Sequence, residues 1–195
     1  MKKFLWRITT WCLLVMLLTA NAYAGSVFPD VDDNADYAEA VEYLNEIGIM
    51  QGDEKGNFNP NKAVSRAEMA VLICRVLEES ENLTTAKIFT DVPASHWANG
   101  YIARAASLGI ISGYGDGRFG PDDMVTYEQA ATIIVRAAEW DEDIDILGGY
   151  PEGYLAIAEG HQLLDGVAVE KGQLLPRAYV ATMLFNYYNP PFLFD

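Results

Sequence analysis

The chain carries the same pattern of residues twice, and this internal repetition limits its possible folds more than any other feature of the sequence. Four blocks recur at one constant separation of 61 positions, the distance from Gly52 to Gly113. The blocks of the first copy are residues 28–31, 48–52, 56–60 and 64–68, and those of the second are residues 89–92, 109–113, 117–121 and 125–129. A separation that stays constant over four blocks indicates a structural unit repeated along the chain.

A third, more divergent copy follows the second. It aligns residues 153–156 with residues 100–103 and Gly166 with Gly113, and it continues after a shorter loop. We therefore predict three repeats, the third degenerate, over residues 27–83, 88–141 and 146–189.

Each repeat has the pattern of a helix, a glycine-rich turn and a second helix. In the first repeat, apolar residues follow helical spacing from Ala40 to Ile47, and Gly48 is a typical helix end. Ser65 and Glu68 then form a capping box, in which each side chain accepts a hydrogen bond from the backbone N–H group of the other residue. The predicted fold class is all-α, built from three helix-loop-helix repeats.

The start signal of the second helix varies between repeats. Thr126 and Gln129 provide the box of the second repeat, whereas the third repeat has Pro176 and Tyr179 at those positions. The third box is therefore lost, although proline suits the first turn of a helix.

Residues 1–24 have the pattern of a secretory signal peptide. Three cations precede the apolar residues 11–18, and residues 22–24 supply the small residues of a cleavage site. An uncleaved membrane anchor is disfavoured because the apolar run is shorter than the roughly 20 residues that a membrane-spanning helix needs. We expect an exported protein with no membrane segment after cleavage.

The charge balance excludes one class of function. The chain has 13 Lys and Arg against 28 Asp and Glu, a net charge of −15, and without the three cations of residues 1–24 it has −18. A protein that coats nucleic acid needs a basic face, so we expect no nucleic-acid partner.

Other chemistries have little support in the sequence. Cys74 lies in an apolar helical series, as a small buried hydrophobic residue does, and it is the single cysteine after residue 24. His96 and His161 lack metal-ligand spacing, and the acidic residues 53–57 and 141–145 lack the ligand pattern of a calcium loop. Three repeats fill the remaining chain, so we expect no catalytic domain, no catalytic residue, no metal and no cofactor.

Together these motifs resemble S-layer homology domains. The resemblance spans roughly residues 27–189 and rests on residues 28–31, the segment around Trp97, and residues 109–113, 117–121 and 65–68. It implies a pseudo-threefold unit in which one helix per repeat builds a central three-helix bundle and the remainder forms three prongs. It also implies non-covalent anchoring to a cell-wall polysaccharide, often one carrying pyruvylated N-acetylmannosamine, bound in grooves between neighbouring repeats.

The first residue of each second helix is the main candidate ligand contact. Arg66 and Arg177 hold this position in the first and third repeats. An arginine beside unpaired N–H groups at the positive end of a helix dipole can bind an anion such as a sugar carboxylate. The alternative is a solvated charge at a helix end. The second repeat has Tyr127, which either stacks on a sugar or belongs to the surface or core.

Two further pairs of residues are candidate polysaccharide contacts. Trp97 and Tyr150 occupy aligned positions and offer flat faces for a pyranose ring, although aromatic residues at such positions also fill cores. Asp30 and Asp91, in the repeated opening, either accept from sugar hydroxyls or cap the following turn.

The sequence thus predicts a secreted, non-enzymatic protein of the cell wall or S-layer surface that binds wall polysaccharide. Arginine at two of the three helix starts favours binding. Tyr127 and the lost third capping box favour the alternative, a structural or assembly protein that binds other surface-layer proteins.

Overall fold

A computed structural model describes residues 26–80, 83–142 and 144–190, and in these ranges the chain is all-helical, as predicted. The six helices are α1 (Ala38–Glu46), α2 (Arg66–Val76), α3 (Asn99–Ser107), α4 (Tyr127–Ala137), α5 (Glu152–Gly160) and α6 (Arg177–Tyr188). None of them is long and apolar enough to cross a membrane. The predicted signal peptide, residues 1–24, lies outside the described residues.

The helices form three consecutive pairs, which we call unit 1 (α1 and α2), unit 2 (α3 and α4) and unit 3 (α5 and α6). The first helix of each unit packs on the second helix of the unit before it: α3 on α2, and α5 on α4. The order closes into a ring because α1 packs on α6.

The longer helices α2, α4 and α6 form the centre of the ring, where α4 contacts both α2 and α6. Nine of the eleven residues of α2 are buried, whereas α1 buries four of nine. A helix that is buried on nearly all sides belongs in the interior, and one with a single apolar stripe lies on the periphery. Cys74 of α2 is fully buried, as expected, and burial raises the pKa of its thiol to about 11.

Three backbone hydrogen bonds relate the units around one axis. The Val125 N–H group donates to Val64 O at 2.9 Å, Leu175 N–H to Val125 O at 3.0 Å, and Val64 N–H to Leu175 O at 3.4 Å. Each residue of this ring precedes one of the central helices by two positions. The ring therefore brings the starts of α2, α4 and α6 together with approximate threefold symmetry.

The helix starts follow the sequence signals. Ser65 and Glu68 form the complete capping box at α2, and the Gln129 side chain accepts from the Thr126 N–H group at 3.1 Å. Pro176 gives α6 no side-chain cap, as its sequence predicts.

Candidate functional site

The three units meet at three equivalent junctions, which we call groove 1, groove 2 and groove 3. Each groove consists of the loop and second helix of one unit, together with the first residue of the central helix of the preceding unit in the ring. The N–H group of that residue donates to a carbonyl oxygen of the loop: Arg177 to Lys62 in groove 1, Arg66 to Asp123 in groove 2, and Tyr127 to Gln173 in groove 3, at 2.8, 2.8 and 3.0 Å. The three positions that the sequence singled out are therefore structurally equivalent.

The expected unpaired N–H groups are not available at the start of α2. The Arg66 and Ala67 N–H groups donate to carbonyl oxygens of the unit 2 loop, and Glu68 N–H donates to the Ser65 hydroxyl. That part of the prediction was wrong because neighbouring loops supply acceptors which a single helix does not have. An anion in these grooves has to be bound mainly by side chains.

Groove 1 contains an accessible arginine. The Arg177 Nη2 group donates to the Gln51 carbonyl oxygen at 2.7 Å, and its guanidinium carbon lies 4.8 Å from the centre of the Phe58 ring. The side chain is only partly buried. The groove encloses a cavity of about 320 Å³, lined by Gln51, Gly52, Glu68, Val71, Leu72, Arg75, Trp97 and Arg177.

The same cavity holds an exposed aromatic ring. Trp97 precedes α3 and is 63% exposed, which contradicts the alternative that it fills the core. Its indole is stacked on His96 with 5.8 Å between ring centres. The structure thus combines an arginine of unit 3 with a tryptophan of unit 2 on the loop of unit 1.

The charges of groove 1 favour an anionic ligand. Three cations, Arg177, Arg75 and Lys62, line this cavity and an adjoining one of about 170 Å³, against the two carboxylates of Glu68 and Asp53. Burial lowers the pKa of Arg177, while nearby Glu68 raises it. Glu68 itself pairs with Lys62 at 2.7 Å. Burial opposes its ionisation, but the hydrogen bonds from Lys62 and the Ser65 N–H group lower its pKa.

Glycine is required at the loop beside this arginine. A Cβ atom built on Gly52 would lie 2.7 Å from the Phe28 ring and 3.1 Å from the Asn57 carbonyl oxygen. Gly113 is equally restricted by Phe89 and by the Arg118 carbonyl oxygen, both at 2.6 Å. The glycines let the loop approach its own unit closely, which places the preceding carbonyl group beside the arginine.

Groove 2 holds its arginine differently. Arg66 is only 6% exposed, and it donates from Nε to Phe119 O at 2.8 Å and from Nη2 to Ser112 O at 2.7 Å. Its guanidinium carbon lies 4.6 Å from the Phe119 ring centre and 4.9 Å from that of Tyr114. Tyr150, aligned with Trp97, is 55% exposed and is therefore not a core residue either.

Groove 3 has no arginine at the equivalent position. Tyr127 is partly buried, and burial together with the nearby Glu159 carboxylate raises its pKa. Asn186 takes the place that Arg75 has in unit 1, and it donates to the carbonyl oxygens of Leu163 and Asp165.

Asp30 and Asp91 stabilise the loops. Asp30 accepts from the Phe58 and Asn59 N–H groups at 2.8 and 2.7 Å, and Asp91 accepts from Phe119 and Gly120 at 2.8 Å each. These partners lie 28 or 29 residues away, not in the following turn as the sequence suggested. Burial opposes the ionisation of Asp91, but its N–H donors lower its pKa.

Sequence reasoning missed two groove residues. Arg75 lines groove 1, and the signal for it was present, because Arg136 follows at the same constant separation. Tyr114 covers Arg66, but nothing local distinguishes it from any other loop tyrosine. The described residues contain no group of three or more side chains able to hold a metal ion.

Comparison with known families finds a match in units 1 and 2. Residues 27–70 and 88–131 match the model of the S-layer homology domain. The chain thus carries two segments that are similar to S-layer homology domains. The matched ranges cover the loops of units 1 and 2 and the first turns of α2 and α4, but they do not include unit 3.

The relatives in which similar sequences occur are larger proteins. A cell surface protein of Thermoanaerobacter kivui is 32% identical over 94% of this chain and 24% of its own length. The surface-layer 125 kDa protein of Lysinibacillus sphaericus is 32% identical over 94% of this chain and 16% of its own length. The exoglucanase XynX of Acetivibrio thermocellus is 35% identical over 65% of this chain and 12% of its own length. The chain therefore spans about a quarter or less of these relatives, which include two named as surface proteins and one named as an exoglucanase.

Proposed function

We propose that this protein anchors itself to the bacterial cell surface by binding an acidic wall polysaccharide in groove 1, without enzymatic activity. The observation that supports this most strongly is the presence of Arg177 and Trp97 in one cavity. A guanidinium group binds a carboxylate through paired charge-assisted hydrogen bonds, and an exposed indole offers a flat apolar face to a sugar ring.

A sugar that carries a carboxylate matches both features. Arg177 lines the cavity while its Nη2 group is held by the Gln51 carbonyl group, so the guanidinium is positioned before the ligand arrives. Arg75 adds a second positive charge. A pyruvylated N-acetylmannosamine unit, which the family resemblance implies, has the required carboxylate on a pyranose ring.

The binding energy has to be local. After residue 24 the chain has a net charge of −18, so its overall field repels an acidic polymer. Charges separated by more than about 8 Å are largely screened at physiological ionic strength. The cations inside groove 1 can therefore act on a bound carboxylate although the whole protein is acidic.

The proposal includes export through residues 1–24 and a location at the cell wall or S-layer surface. The second candidate is a structural or assembly role in which the protein binds other surface-layer proteins. Groove 3 has Tyr127 in place of the arginine of the other two grooves, which favours protein binding over polysaccharide binding at groove 3.

Co-sedimentation with cell-wall sacculi separates the two candidates. Protein comprising residues 25–195 would be mixed with sacculi before and after chemical removal of the attached polysaccharide. We expect binding that disappears on removal. Equal binding to bare peptidoglycan would contradict polysaccharide recognition, and binding that requires added S-layer protein would favour the assembly role.

A further inference from the structure

We infer that this chain binds one acidic sugar, in groove 1, and that Tyr114 keeps groove 2 closed in the native protein. The inference rests on the proposed function and specifies which groove performs it. It follows from a comparison of equivalent positions in the two loops that carry the S-layer homology pattern.

The two groove arginines differ in access although both hold a loop carbonyl group. Arg177 lines an open cavity, whereas Arg66 is 6% exposed between two aromatic rings. One ring, Phe119, has a counterpart in Phe58 of groove 1. The second ring, Tyr114, has no aromatic counterpart there.

Tyr114 covers the groove by means of its side chain alone. Its N–H group donates to Arg118 O at 2.9 Å, and the equivalent Asp53 N–H group donates to Asn57 O at 2.8 Å, so the two loops share this backbone turn. The Tyr114 hydroxyl donates to Asp123 Oδ2 at 2.8 Å. This bond holds the ring over the Arg66 guanidinium.

Asp53 leaves groove 1 open. Its carboxylate accepts from the Lys55 and Asn57 N–H groups and from the Asn59 amide at 2.8 to 2.9 Å. The side chain is therefore folded onto its own loop, where it lines the adjoining cavity of about 170 Å³ with Arg177 and leaves the cavity of about 320 Å³ free.

A glycine in the same loop makes room for the closed arrangement. A Cβ atom on Gly120 would lie 2.2 Å from Asp123 Oδ2 and 2.7 Å from the Tyr114 ring. Groove 1 has Asn59 at the equivalent position, and both residues have positive φ, 61° for Asn59 and 72° for Gly120. Unit 1 thus has space for a side chain at this position. In unit 2 the bonded pair of Tyr114 and Asp123 occupies that space.

The second arginine of groove 2 is also occupied. Arg136 donates from Nε to the Tyr154 hydroxyl at 2.9 Å, and its guanidinium carbon lies 5.1 Å from that ring centre. Its counterpart Arg75 donates from Nη1 to the Ile49 carbonyl oxygen at 2.9 Å, and it also lines the cavity of groove 1. Groove 3 has Tyr127 and Asn186 at the two arginine positions, so it offers neither cation.

Calorimetric titration tests the inference. The probe is an oligosaccharide that ends in pyruvylated N-acetylmannosamine, and the same oligosaccharide without the pyruvyl group is the control. We expect one site per chain for the wild-type protein. Tyr114→Ser and Gly120→Asn, which remove the covering ring or its space, should each raise the number of sites to two.

Matched aromatic variants identify the occupied groove. In the wild-type background, Trp97→Ala should weaken binding at least tenfold, and Arg104→Gln, in an ion pair with Glu79 outside the cavity of groove 1, should leave it unchanged. In the Tyr114→Ser background, Tyr150→Ala should weaken the second site only. Thermal melts would confirm that each variant is folded.

The outcomes distinguish the inference from the proposed function. Two sites in the wild-type protein, or one site in both opened variants, would overturn the closure of groove 2 and leave the proposed function intact. No binding by folded wild-type protein would overturn both.

Discussion

The Arg177 guanidinium and the Trp97 indole line one cavity, although Arg177 begins α6 and Trp97 precedes α3. They meet because the ring of units closes between α1 and α6, which brings the start of α6 to the loop of unit 1. A binding site assembled from three units depends on the whole fold, so truncation of any unit should remove it.

Replacement of Arg177 by glutamine should weaken ligand binding by roughly 10- to 100-fold. The variant loses a charge-assisted contact, which is worth about 1.5–3 kcal/mol. Titration with the pyruvylated oligosaccharide measures the change. Arg104→Gln is the control, because Arg104 pairs with Glu79 away from groove 1 and should bind normally. Similar losses in the two variants would point to a general charge effect.

Arg66→Gln should mainly affect stability. Arg66 is buried and donates to one buried and one partly buried carbonyl group, so its removal leaves both acceptors without this donor and should lower the free energy of unfolding by about 2–4 kcal/mol. Chemical denaturation measures this. Arg118→Gln is the control, because Arg118 forms an exposed ion pair with Asp116 in the loop of unit 2. This change should alter the free energy of unfolding by less than about 1 kcal/mol. A wild-type-like unfolding curve for Arg66→Gln would contradict a structural role.

Ligand binding should change the fluorescence of Trp97. From residue 25 onward the chain has two tryptophans, Trp97 in groove 1 and Trp140 stacked on His161. The signal should persist in Trp140→Phe and disappear in Trp97→Phe, since only the former retains the indole in the groove. A response that follows Trp140 would place the ligand elsewhere.

Acid should weaken the fold partly through Asp91. Its pKa is lower in the folded protein than in the unfolded chain, so ionised Asp91 stabilises the fold above its unfolded pKa of about 4, and this contribution is lost as pH falls through the folded pKa. Asp91→Asn should be less stable at neutral pH and should lose less stability on acidification. Unfolding curves from pH 7 to pH 3 test this, and identical pH profiles for both proteins would contradict it.

Several elements were predictable from sequence because their causes are local. The capping box of Ser65 and Glu68 joins residues three positions apart, and the end of α1 near Gly48 depends on one residue's conformational freedom. The constant separation between the first two copies likewise revealed that the same loop is built twice. It also placed Arg66 and Tyr127 at equivalent positions, and the separate alignment of the third copy placed Arg177 with them.

The tertiary structure decided which of these positions can meet a ligand. The N–H groups at the start of α2 are occupied by a neighbouring loop, and Asp30 and Asp91 bind loops 28 or 29 residues away. Arg177 remains accessible while Arg66 is covered by Tyr114, although the sequence gives both arginines the same place in their repeats. The physical reason is that local signals act within a helical turn, whereas access to a groove depends on side chains contributed by the next unit around the ring.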